Sequence, residues 1–117
     1  MTKQGERIGV RVERRAREDA RALAGSGEGE ALALEMARVI SELQANPYLG
    51  DPLERDLSGL RRVRFDTEQY LRDHPLPRFR VVYELLPEDG APSEALIWAI
   101  GPRRFSDVYR RTRQRRR

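Results

Sequence analysis

The sequence predicts an α+β fold of order β-α-α-β-β-β with a short C-terminal helix. A helical hairpin should cover one face of an approximately four-stranded, mostly antiparallel sheet. Two observations carry this. Apolar residues recur every three or four positions across two early segments, and every second position in one segment before them and three after. Stretches bearing Gly, Asn, Asp or Pro separate these segments. A chain of 117 residues suffices for one modest core, so 1–117 reads as a single domain with 1–6 and 112–117 flexible.

Each element follows from its pattern. Ile8, Val10 and Val12 alternate with Arg7, Gly9 and Arg11, the period of a half-buried strand. Over 13–24 the period changes: Val12, Ala16, Ala20 and Leu23 share one helix face, and Gly25-Ser26-Gly27 ends that helix. A second helix spans 28–45 with Leu32, Met36, Val39, Ile40 and Leu43 as its apolar stripe, and Asn46-Pro47 stops it. Residues 48–58 form a loop around the turn formers Gly50, Asp51 and Pro52.

The remainder is mostly strand. In 60–65, Val63 and Phe65 point one way and Arg62 and Arg64 the other. The 66–77 connection is long for a hairpin and reads as a short helical turn or a mobile flap. Strands follow at 79–86 and 95–100, joined by a turn over 87–93, and Gly101-Pro102 breaks the last of them. Trp98 and Phe79 read as core, and Glu84 as a strand-surface residue. Ser106 is placed to cap a final helix from Asp107, whose continuation beyond Arg110 lacks an apolar face and should fray.

Composition narrows the class. Hydrophobic residues are 38% and charged residues 36%, which favours a compact fold with a heavily charged surface over disorder. Without cysteine there is neither a disulfide framework nor a thiolate metal site. No apolar run approaches the ~20 residues of a membrane span, and the first ten residues lack the apolar stretch of a signal peptide, so a cytoplasmic protein with no membrane partner is expected. His74, the sole histidine, has no metal-ligand spacing around it, and neither metal nor cofactor is expected.

Charge is unevenly spread. Residues 1–57 carry 9 basic and 11 acidic side chains, and residues 58–117 carry 14 and 8. A basic C-terminal half suits a polyanionic partner. All basic residues except Lys3 are arginines, which argues against a carboxylate-plus-lysine metal nuclease. Arginine grips phosphate in a fork and stays protonated, so it holds charge well and is a poor proton acceptor. Arg62, Arg64, Arg80, Arg103 and Tyr109 lie on or beside the predicted strands, a set suited to binding phosphate.

The motifs carrying these residues resemble the RelE/ParE superfamily of bacterial toxins, most closely its RelE branch. VERRAREDARAL is similar to the first family helix, and LQANPYLGDPLERDLSGL to the helix end and loop before the next strand. PRFRVVYEL and IGPRRFSDVY are similar to the two most recognisable family signatures, and together the segments span about residues 8–110. The resemblance implies the RelE fold and a ribosome-dependent messenger RNA endonuclease, the toxin of a type II toxin–antitoxin pair. Its partners would be a cognate antitoxin, the ribosome and messenger RNA. The ParE branch implies instead a DNA gyrase inhibitor, and a third reading is an inactive RelE-fold protein that only binds RNA or antitoxin.

The same resemblance assigns roles. Arg80 is matched to the arginine on the scissile phosphate, Arg103 to that of the turn after the last strand, and Tyr109 to the terminal aromatic. Arg62 and Arg64 are matched to two basic residues that hold flanking phosphates. The branch's best-known members have lysine at that pair. With arginine there, the general base falls by elimination on Tyr109, which can also orient the nucleophile or stack on a base. The longer 66–77 connection and the arginine-rich tail also depart from the family pattern.

Overall fold

The computed structural model describes residues 7–87 and 90–117. Its elements are β1 (Gly9–Val12), α1 (Arg14–Ala24), α2 (Gly29–Ala45), β2 (Asp51–Pro52), β3 (Leu60–Phe65), α3 (Glu68–Asp73), β4 (Phe79–Leu86), β5 (Glu94–Pro102) and α4 (Asp107–Arg115). Single turns of 3-10 helix precede β3 and α4, at Arg55–Leu57 and Arg104–Ser106. The sheet has five strands in the order β1-β5-β4-β3-β2, parallel between β1 and β5 and antiparallel elsewhere. Among the described residues no helix is long and apolar enough to cross a membrane.

The hairpin of α1 and α2 covers one face. Ala16, Leu32, Met36, Val39 and Leu43 meet Phe65, Val81, Tyr83, Ala95, Ile97 and Ile100 in the main core, with Ala20, Leu23 and Ile40 packed beside them. The predicted helical stripes thus reach the core as expected. Tyr83 is fully buried, and its hydroxyl donates to Pro47 O at 2.8 Å and accepts from Gly50 N at 2.9 Å. This is why position 50 is glycine: a Cβ there would stand 2.8 Å from the Tyr83 ring.

Several expectations are corrected. The sheet has a fifth strand because Asp51 and Pro52 pair with Arg62 and Arg61 out of the 48–58 loop. Gly101-Pro102 does not break β5, since both residues still pair with Arg80 and Phe79. The face away from the hairpin is also covered. There α4 lays Val108 against Leu60, Val82 and Ala99 in a second core, with Trp98 half-buried beside it. A bulge opposite Val82 and Tyr83 leaves Trp98 without a Cα partner in the register, so Trp98 and Ala99 both serve this face. Glu84 is buried, accepting from Trp98 Nε1 at 3.0 Å and Arg116 Nη2 at 3.3 Å.

The tail beyond Arg110 does not fray: α4 continues to Arg115. Ion pairs do what an apolar stripe usually does. Asp19 of α1 receives Arg111 Nη1 at 3.1 Å and both amino groups of Arg115 at 2.6 and 3.0 Å, and it also accepts from Ile100 N. Arg113 pairs with Asp56, and the Thr112 hydroxyl is satisfied by Val108 O. Of the 66–77 alternatives, the helical turn is the one seen, as α3. Residues 1–6 and part of the predicted 87–93 turn lie outside the described residues.

Candidate active site

Strand parity builds the site. Val63 and Phe65 join the main core while Leu60 joins the second, so Arg62 and Arg64 stand on the α4 face of β3. On β4, Val81 and Tyr83 face the hairpin and Val82 faces α4, which puts Arg80 on the same side. The register sets Arg64 directly opposite Arg80, and Arg62 opposite Val82. Like charges directly opposite across a sheet repel. Arg103 follows β5, its backbone N–H donating to Arg78 O at 2.9 Å, and α4 supplies Tyr109.

These five residues line one cleft of about 370 Å3, together with Leu76 and Ser106. The structure therefore brings together every residue the sequence singled out. Arg62 Nη1 donates to the Tyr109 hydroxyl at 3.0 Å. Arg80 is 6% exposed, and its Nη1 donates to Pro77 O and Phe79 O, both at 2.9 Å. Burial lowers the Arg80 pKa from the ordinary arginine value. The Tyr109 hydroxyl opposes that shift, and the Arg64 and Arg62 charges add to it.

The cleft gathers arginines without gathering counter-charges. Several arginines elsewhere are paired, among them Arg11 with Glu94, Arg38 with Glu35 and Glu42, Arg78 with Glu28 and Asp66, and Arg115 with Asp19. Among the described residues Arg62, Arg64, Arg80 and Arg103 have no ion pair, and no carboxylate lines the cleft. Nε of Arg62 and Nε of Arg80 are buried without a hydrogen-bond partner among those residues. A buried donor left unmet costs about 1–3 kcal/mol. An entering anion can offset both the repulsion and the unmet donors. A larger groove of about 720 Å3 between α2 and α3 has the opposite character, with Glu28, Glu30, Glu35 and Glu68 on its walls, and does not suit a polyanion.

Two lining residues escaped the sequence reading. Ser106 holds the expected N-cap position, yet its side chain makes no capping bond. It sits in the left-handed region at φ 56°, a conformation that non-glycine residues adopt at some cost, often at functional sites. Leu76, 56% exposed, had no signal beyond its place between Pro75 and Pro77. No cluster of His, Cys, Asp or Glu suited to a metal occurs among the described residues. His74 caps the end of α3 and stacks on Tyr70 at 4.1 Å.

No protein-family model and no curated protein sequence matches the chain. Solved structures do. The E. coli toxin RelE, in the free state and with two arginines replaced by alanine, superposes with a TM-score of 0.65. The identity is 16%, covering 93% of this chain and 97% of that one. The toxin–antitoxin complex RelBE2 of Mycobacterium tuberculosis gives a TM-score of 0.59 at 22% identity, covering 83% of this chain and 99% of that one. The chain has the RelE fold.

Proposed function

We propose that this chain is the toxin of a type II toxin–antitoxin pair and cuts messenger RNA on the ribosome without a metal. One observation carries the reading: on a RelE fold, four arginines with no acidic counter-charge among the described residues surround one tyrosine in a single cleft. The cleaving group is the substrate's own 2′-OH. Its oxygen bonds to the adjacent phosphorus as the bond to the 5′-oxygen breaks. The 2′ proton passes to a base, the leaving 5′-oxygen takes a proton, and a 2′,3′-cyclic phosphate remains.

The roles follow from placement. Arg80, buried and fixed by two carbonyls, is a preorganised donor for the charge that grows on the phosphorane. Arg103 is exposed at the rim and serves as second stabiliser or donor to the leaving oxygen. Arg62 and Arg64 hold flanking phosphates, and Arg62 also fixes the Tyr109 hydroxyl. Tyr109 handles the proton of the nucleophile. Apart from Ser106, it is the only protic side chain among the described residues of the cleft wall that is not a guanidinium.

The partners of this reading are a cognate antitoxin, the ribosome and messenger RNA, in the cytoplasm. Inducing the wild-type chain should arrest growth and yield messengers cut within codons, and Tyr109→Phe should relieve both. Undiminished cleavage by an Arg80→Ala/Arg103→Ala double mutant sinks the mechanism. Filamentation with intact messengers points to gyrase instead, and no growth defect to a binding protein.

A further inference from the structure

The anionic site has one apolar wall, and the proposed function gives that wall no role. Leu76 is among the few large apolar side chains left exposed in the described residues, and it opens onto the same cleft as the four arginines. A phosphate alone has no use for such a surface. A nucleotide does, because its phosphate carries charge while its base presents an apolar face.

Leu76 is held firmly. Pro75 and Pro77 flank it, restricting the backbone on both sides. Pro77 O accepts from Arg80 Nη1 at 2.9 Å, so the guanidinium assigned to the scissile phosphate also fixes this segment. One residue further on, Arg78 is forked onto Asp66 and lies 3.7 Å over the Tyr70 ring of α3. The 66–77 connection is thus a braced arm that presents one leucine to the cleft at little entropic cost.

We infer that Leu76 is the base-contacting wall of the substrate cleft, seating one nucleobase of single-stranded RNA beside the phosphate bound by Arg80 and so shaping where the chain cuts. This rests on the proposed function, and two probes separate the claims. Inorganic phosphate reports on the arginines alone, through the thermal midpoint of the protein. An RNA trinucleotide with a 2′-deoxy block at the cutting position reports on arginines and base wall together.

Leu76→Ala should leave phosphate stabilisation as in wild type and weaken trinucleotide binding by roughly tenfold, with Leu76→Phe restoring it. Cleavage mapped on a mixed-sequence messenger should change its base preference in both variants. Being exposed, position 76 tolerates these changes without unfolding. If Leu76→Ala binds the trinucleotide like wild type while phosphate still stabilises, the base wall is wrong and the arginine site stands. If neither probe binds the wild type, both readings fall.

Discussion

Arg62 and Tyr109, 47 residues apart, are joined by a 3.0 Å hydrogen bond that closes β3 onto α4. The bond fixes where the phenol oxygen sits relative to Arg80, whose charge that oxygen also supports. The two side chains therefore act as a unit. In a double-mutant cycle, Arg62→Ala and Tyr109→Phe should couple by about 0.5–3 kcal/mol in chemical denaturation. Each alone should slow RNA cleavage nearly as much as both together. Additive losses in rate would separate the residues and leave the bond structural.

Arg103 gives the cleanest separation of chemistry from folding. It is exposed, and its side chain makes no ion pair among the described residues, whereas its backbone N–H holds the turn to Arg78 O. Arg103→Ala should therefore shift stability by no more than about 0.5 kcal/mol. Cleavage should nevertheless fall by about two orders of magnitude, the scale for one lost transition-state donor. Thermal unfolding alongside cleavage of a ribosome-bound messenger reads both. Arg80→Ala is a poorer probe, because it also releases the carbonyls of Pro77 and Phe79.

Asp19 is the anchor that positions Tyr109 from the far side. Its carboxylate accepts from Arg111 and Arg115 of α4 and from Ile100 N of β5, and side-chain exposure is 7% for Asp19 and 10% for Arg115. Removing one partner of a buried pair leaves the other charge uncompensated, at about 3–5 kcal/mol. Asp19→Ala should cost that much and expose the arginine-rich tail to trypsin before the rest of the chain. Protease sensitivity unchanged from wild type would mean that the second core alone holds α4.

What the sequence made legible has a physical boundary. The period-3.6 pattern picked out Leu32 and Leu43, which reach the main core, and parity alone put Arg62 and Arg64 on the face opposite Val63 and Phe65. Tail order was not legible by that logic. The helix carrying Arg111 and Arg115 is held by a carboxylate some 90 residues earlier, and charge pairing leaves no periodic trace. The bulge at Trp98 shifts side-chain direction without changing composition, and Asp51-Pro52 is too short to show a strand period. That Arg62, Arg64, Arg80, Arg103 and Tyr109 belong to one candidate site was readable from the arginines on the predicted strands and from the motifs around them. Leu76 was not, since an exposed leucine is ordinary until a cleft forms beside it.

Acid should loosen the arm that carries Leu76. Burial alone would raise the pKa of Asp66, whose side chain is fully enclosed. Hydrogen bonds from the Arg78 side chain and backbone and from Thr67 N outweigh burial and hold the pKa below the usual carboxylate range. The same contact raises Arg78, with Glu28 assisting from α2. A carboxylate depressed in the folded state adds stability that is fully present above its unfolded pKa of about 3.9 and is lost as pH falls through the folded value. Wild type should thus lose stability below about pH 4. Asp66→Asn, less stable at neutral pH, should lose less over the same range, so the two unfolding curves converge. Asp56, also depressed by Arg113, is exposed and should contribute little to that slope. Denaturation of both proteins from pH 7 to pH 3 checks this, and curves that stay parallel would place the acid sensitivity elsewhere.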